Sequence, residues 1–167
     1  MVIIFDLDQT IVDSSIAEKY RSTRSWDKVY ELIPNMSLYD GIYELISNLQ
    51  KNGIKVAIVT SSPKPYCTKV LKHFNIKDVE TVCYHDTYMH KPHPEPIIKL
   101  LELMKVNSED AFSIGDDDKD ITASLSANVR CGLALWGRNG KKVLNQNVPL
   151  FEKVSDFEQY LKSIIKF

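Results

Sequence analysis

Four carboxylates (Asp6, Asp8, Asp116 and Asp120), the hydroxyl of Thr60 and the ammonium of Lys91 are the residues of this chain best suited to chemistry. Asp6 and Asp8 stand two apart in Asp6-Leu7-Asp8-Gln9-Thr10. Residues so spaced on extended backbone point to the same side, so both carboxylates can reach one point. Taken alone the pattern is weak, since a solvated strand end before a turn has the same composition. In Gly115-Asp116-Asp117-Asp118-Lys119-Asp120, the glycine permits a sharp turn, and acids are favoured where a helix begins. Oxygen ligands gathered in one turn also suit Mg²⁺, which takes one or two carboxylates together with water and phosphate oxygens. An acid cluster facing Asp6 and Asp8 makes a cation the expected relief of their mutual repulsion. Thr60-Ser61-Ser62 offers a hydroxyl and turn amides able to hold an anionic oxygen, or a cap for the helix that begins near Pro65. Lys91 lies in His90-Lys91-Pro92-His93-Pro94, where the prolines stiffen the loop and fix where the ammonium points.

These residues need a scaffold that brings distant segments to one edge. Val2 to Phe5, Ile54 to Val59, Val79 to Tyr84, Ala111 to Ile114 and Val129 to Leu135 are short apolar runs rich in β-branched residues, which predicts buried strands. Helical periodicity separates them, at Tyr39 to Lys51, Pro65 to Phe74, Pro94 to Met104 and Asp117 to Ala127. A last amphipathic helix is expected over Ser155 to Ile165, with Ser155 as its cap. Strands alternating with helices predict a three-layer α/β fold, a parallel sheet covered on both faces. Residues 14–38 stand outside the alternation. They mix charge with aromatics (Tyr20, Arg21, Arg24, Trp26, Lys28, Tyr30) and predict a small helical excursion, too short to be a domain.

The 167 residues fit one domain with a real core, and 44% hydrophobic content is ordinary for a soluble protein. With 21 basic and 22 acidic residues, a net charge of -1 gives no bulk attraction to polyanions. Nucleic acid is therefore not an expected partner, except as a phosphorylated end. Cys67, Cys83 and Cys131 are odd in number and show no metal-binding spacing, which predicts buried free thiols in a reducing compartment. The apolar start is far shorter than the roughly twenty residues of a membrane span, so a cytoplasmic protein is expected. Oligomeric state is left open.

Together these motifs, in this order, resemble the haloacid dehalogenase-like (HAD) hydrolase superfamily: a D-x-D-x-T at the first strand, a Thr or Ser ending the second, a Lys before a later helix, and a G-D-x-x-x-D after the fourth. Residues 41–76 and Lys91-Pro92-His93-Pro94 also look like its phosphoglycolate-phosphatase-like branch. The resemblance spans nearly the whole chain except 14–38. It implies a Rossmann-like core over residues 1–167 with a minimal cap at about 14–38, and a Mg²⁺-dependent phosphatase acting on a phosphorylated metabolite or nucleotide through an aspartyl-phosphate. Asp6 would be the nucleophile and Asp8 the general acid, then base. The metal would be held by Asp6, the Asp8 backbone carbonyl and Asp116, with Asp120 or Asp117 acting partly through water. Thr60, Ser61 and Lys91 would bind the transferring phosphoryl group.

Two departures stand out. Gln9 replaces the glycine usual after the second aspartate, which bears on loop geometry. The cap is abbreviated, which implies a more open site, lined by Tyr20, Arg21, Arg24 and Trp26, and a larger substrate or a cap completed by another subunit. The same phospho-aspartate could serve a phosphotransferase or mutase, though a short cap does little to exclude water. A non-catalytic HAD-like binding module is the alternative from another class.

Overall fold

The computed structural model describes residues 1–138, 147–165 and 167. Its main sheet has six strands: β1 (Val2–Phe5), β4 (Lys55–Val59), β5 (Val79–Val82), β6 (Ala111–Gly115), β7 (Arg130–Ala134) and β8 (Leu150–Phe151). They run in the order β5-β4-β1-β6-β7-β8, and every pairing is parallel. β1 is central: Phe5 is in register with Ile58 on one side and Ile114 on the other. The strand ends that precede Thr60, Asp6 and Asp116 are thus neighbours along one edge.

Successive side chains of a strand leave by opposite faces. Ile3 and Phe5 enter one core with Leu45 and Leu49 of α3 (Ile42–Lys51), Val70 of α4 (Lys64–His73) and Phe157 of α7 (Val154–Ile164). Val2 and Ile4 enter the other, with Ile97 and Leu100 of α5 (Glu95–Met104) and Ala123 of α6 (Asp118–Ser126). Burial on both faces is why the central strand β1 reads as an unbroken apolar run, and the expected three-layer α/β fold is what the chain adopts.

Three strands escape a sequence reading because each has two residues, too few for any period. β8 adds a sixth strand beside β7. β2 (Val12–Asp13) and β3 (Ser37–Leu38) form a small antiparallel ribbon, with Val12 opposite Leu38. The ribbon closes the base of the 14–38 excursion, which folds as α1 (Glu18–Ser22) and α2 (Trp26–Leu32), with 3₁₀ turns at Ser15–Ala17 and Ile33–Asn35. Tyr20, Trp26 and Tyr30 pack against the core.

Two local expectations are corrected. The last helix starts at Val154, not after a Ser155 cap: the carboxylate of Asp156 accepts the Lys153 N–H at 3.0 Å, fixing the first turn two residues earlier. The third predicted strand stops at Val82, because a 3₁₀ turn over Tyr84–Asp86 follows, tied by the Asp86 carboxylate to the Cys83 N–H at 2.8 Å. All three cysteines are buried. Among the described residues no helix is long and apolar enough to cross a membrane.

Candidate active site

The chain leaves β1 into a tight loop. Asp6 still belongs to the sheet, its N–H donating to the Ile114 carbonyl at 2.9 Å. Gln9 takes a left-handed backbone (φ 62°), the conformation that a glycine there would adopt without strain. Its side chain compensates: Oε1 accepts the Ser14 N–H at 3.1 Å and lies 3.4 Å from the Tyr39 hydroxyl that donates to it. A Cβ on Gly137 would lie 1.6 Å from the Gln9 carbonyl oxygen, so this loop and the segment after β7 touch backbone to backbone. Thr10 is fully buried; its carbonyl accepts the Trp136 indole N–H at 3.0 Å.

Across from this loop, Asp117 caps α6: its side chain accepts the Lys119 N–H, and Asp120 reaches back to accept the Asp117 N–H, each at 3.0 Å. This is a reciprocal capping box. It pulls Asp120 inward over Gly115, where a Cβ would stand 2.4 Å from the Asp120 carboxyl carbon and 2.5 Å from its Cβ. Gly115 is therefore required for close approach. The sharp turn expected of it is not its role, since it is the last residue of β6 and its φ is not positive. Arg138, almost fully buried, holds the same loop by donating to the Asp116 carbonyl at 2.6 Å and pairing with Asp118 at 3.0 Å.

Carboxylate oxygens of Asp6, Asp116 and Asp120, all three buried, lie within 4.8 Å of one another. Lys91 enters from its proline-flanked loop and donates to Asp6 Oδ1 at 2.7 Å, Asp120 Oδ1 at 2.5 Å and the Val59 carbonyl at 2.9 Å. Burial raises the Asp6 carboxyl to about 7 despite Lys91, with Asp120 and Asp8 adding to the rise. Lys91 itself is held charged: burial opposes its charge, but Asp120 and Asp6 outweigh that and push its pKa up. Three clustered carboxylates are an all-oxygen donor set. Such a set fits a hard divalent cation such as Mg²⁺.

Asp8 does not join the cluster with its carboxylate. It is buried and turned toward α4 and the cap, where Oδ1 accepts Ser14 Oγ at 2.6 Å and Tyr66 Oη at 2.7 Å and pairs with Arg21 Nη1 at 2.6 Å. Oδ2 accepts Ser62 Oγ at 2.7 Å. Tyr66 is fully buried on α4, and burial first, then the adjacent Asp8, keep its phenol protonated. Thr60 is buried beside the cleft, its Oγ1 accepting the Ser62 N–H at 3.0 Å.

Asp6, Asp8, Thr60, Ser61, Lys91, Asp116 and Asp120 thus line one cleft of about 590 Å³ with Arg21, Arg24 and Trp26 of the cap. Tyr20, expected in that lining, packs on the core instead. The sequence does not single out Ser14, Tyr66 or Arg138, and it presents Ser62 only as part of the Thr60-Ser61-Ser62 turn, not as a partner of Asp8. Of these, Ser62 adjoins Thr60-Ser61 and offered a local signal, whereas Tyr66 and Arg138 meet the site only through the fold.

The haloacid dehalogenase-like hydrolase family model matches residues 16–134. The pyrophosphatase PpaX of Bacillus cereus (strain ATCC 10987) is 30% identical over 159 residues, 92% of this chain and 72% of that protein. A protein provisionally named pyrophosphatase PpaX in Caldanaerobacter subterraneus subsp. tengcongensis is 35% identical over 71% of this chain, a match covering only 54% of that relative's length. Among solved structures, a hydrolase from Pseudomonas syringae superposes with a TM-score of 0.80 at 19% identity, covering 99% of each chain. CbbY from Rhodobacter sphaeroides, in complex with phosphate, gives 0.75 at 17% identity over 91% of this chain and 93% of that one. The matched length, the identity to full relatives and the shared fold agree with the motifs gathered at the sheet edge: the chain belongs to the haloacid dehalogenase-like hydrolase family.

Proposed function

We propose that this chain is a Mg²⁺-dependent phosphohydrolase that works through phosphorylated Asp6. The observation that carries this reading is the Lys91 ammonium seated between Asp6 at 2.7 Å and Asp120 at 2.5 Å, with Asp116 alongside, at the wall of the cleft. A carboxylate is a poor nucleophile toward an anionic ester, so the protein must supply alignment and charge neutralisation. Asp6 attacks phosphorus through a carboxylate oxygen, and the bond from phosphorus to the leaving oxygen breaks. That oxygen keeps the electron pair and takes a proton from Asp8. Asp8 then removes a proton from water, whose oxygen attacks the phosphorus on Asp6. The bond to Asp6 breaks, inorganic phosphate departs and both carboxyls are restored.

Lys91 and Thr60 bind the phosphoryl oxygens, with Ser61 at the cleft wall, and Lys91 also keeps Asp6 in line. Asp6, Asp116, Asp120 and the Asp8 carbonyl would hold Mg²⁺, whose contribution when bound is to neutralise charge on the phosphoryl group. Arg21 and Arg24 contact the remainder of the substrate. A cleft of about 590 Å³ is in the range of small-molecule sites. The names of the relatives, pyrophosphatase and CbbY with bound phosphate, direct the search toward small phosphorylated compounds. The chain acts as one domain over residues 1–167 with the 14–38 excursion as its cap, and its buried thiols suit a reducing cytoplasm.

The test is phosphate release from inorganic pyrophosphate and a panel of phosphorylated metabolites and oligonucleotides, with and without Mg²⁺. Mg²⁺-dependent release that disappears in Asp6→Asn is expected. Turnover retained by Asp6→Asn overturns the nucleophile, and turnover undiminished by chelation overturns the metal.

A further inference from the structure

The surroundings of Asp8 are uneven. Its Oδ1 accepts hydrogen bonds from Ser14 Oγ and Tyr66 Oη and lies 2.6 Å from Arg21 Nη1 in an ion pair, whereas Oδ2 accepts Ser62 Oγ alone. A carboxylate offers about two lone-pair sites per oxygen, so Ser14 and Tyr66 fill those of Oδ1 and Arg21 is held to it by charge alone. Ser14 and Tyr66 are fully buried and held by the packing around them. The Arg21 side chain keeps 25% of its surface exposed and lies in the cleft wall. It stands on a long stem and carries five donors in a planar fork. Only Nη1 is engaged among the described residues, with Asp8 and with Ser14 Oγ at 2.5 Å. Arg21 is therefore the partner of Asp8 that can leave. An anionic group in the cleft is what would draw it, because a guanidinium binds such a group bidentately. Arg24 stands beside it on the same wall, fixed by the turn in which Trp26 N–H bonds the Arg24 carbonyl at 2.9 Å.

We propose that Arg21 is a specificity-determining gate that exchanges Asp8 for an anionic group on the substrate's leaving portion. The cleft thereby favours phosphorylated compounds whose leaving group carries a second negative charge. A substrate with that charge takes the Arg21 fork, and the freed side of Asp8 Oδ1 turns to the leaving oxygen. A neutral leaving group has nothing to offer Arg21, and Asp8 keeps its ion pair. The proposal rests on the phosphohydrolase reading, which assigns Asp8 its role.

The test compares butyl phosphate with 3-carboxypropyl phosphate, a pair differing in the terminal charge. In the wild-type protein with Mg²⁺, kcat/KM is expected to be about tenfold or more higher for the carboxylated member, the scale of a charge-assisted hydrogen bond. Arg21→Ala should bring that ratio close to one, and Arg21→Lys, which keeps the charge but not the fork, should restore part of it. A wild-type ratio near one, a ratio that survives Arg21→Ala, or an equal fall for both compounds would each overturn the gate. Calorimetric binding of the same pair to Asp6→Asn, with and without Arg21→Ala, gives the second readout. A preference there that is lost with Arg21 supports the gate even if the wild type turns over neither of these two compounds, whereas the phosphohydrolase reading falls only if no phosphate is released across the wider panel of phosphorylated compounds. No preference in binding or turnover overturns the gate.

Discussion

Gly115→Ala should damage the acidic loop although the added methyl carries no charge. The new Cβ would fall 2.4 Å from the Asp120 carboxyl carbon and, more importantly, 2.5 Å from the Asp120 Cβ. A rotamer change removes the first clash but not the second, so the first turn of α6 must move away from β6. Overpacking of a tight site costs about 1–3 kcal/mol. Moving Asp120 also stretches its 2.5 Å bond from Lys91 and its 3.0 Å bond from the Asp117 N–H, and bonds to charged groups are worth about 1.5–3 kcal/mol each. Partial loss of these brings the expected destabilisation to about 3 kcal/mol or more. For a chain of this size that is a fall in Tm of roughly 6–12 °C. Urea and thermal unfolding without metal measure the stability, and calorimetric titration with Mg²⁺ should show affinity reduced about tenfold or more, from the displaced third carboxylate. A variant within about 0.5 kcal/mol of wild type and with unchanged Mg²⁺ affinity would refute the close-approach role of Gly115.

Three further outcomes are expected. The Asp6 carboxyl, raised to about 7 without a cation, holds a proton in the folded state that the unfolded chain loses near its ordinary value of about 4. The folded state then binds more protons in that window, so this group's contribution to metal-free stability declines as pH rises from about 4 to 7. Mg²⁺ must displace that proton, so its affinity should fall as pH drops below about 7. Calorimetry at pH 6 in two buffers of different ionisation heat would detect the released proton, and its absence would sink the assignment. Gln9→Gly relieves a left-handed backbone worth about 1–2 kcal/mol but removes the acceptor for the Ser14 N–H, worth about 0.5–1.5 kcal/mol. Stability should stay within about 1 kcal/mol of wild type, and a larger loss in urea unfolding would show that the Gln9 side chain holds the loop more strongly than these bonds allow.

Much of the scaffold was legible because its causes are local. β1, β4 and β6 show as largely apolar runs since the sheet buries both their faces, whereas the edge strand β5 carries the exposed Glu80, and α3, α5 and α6 begin within a few residues of where their periodicity predicts. The boundaries that shifted were set by single polar contacts, Asp156 to the Lys153 N–H and Asp86 to the Cys83 N–H. β8 was invisible, because two residues make a strand only when a neighbour such as β7 lies beside them.

The sequence by itself determined which residues stand at the strand ends. Asp6, Thr60 and Asp116 each follow an apolar run directly, and a parallel sheet with β1 between β4 and β6 brings such ends together. It also determined that Lys91 sits on a constrained loop. Tertiary structure alone decided where Asp8 points. Its donors Ser62 and Tyr66 lie 54 and 58 residues away along the chain, and Arg21 reaches it from an excursion with no periodic pattern of its own. Tertiary structure likewise decided that Gly115 is needed for space and that Arg138 clamps the Asp116 carbonyl. Spacing along a chain reports only the backbone direction of a few neighbouring residues, whereas a buried carboxylate takes the orientation that satisfies its lone pairs from whatever donors the packed elements bring within reach.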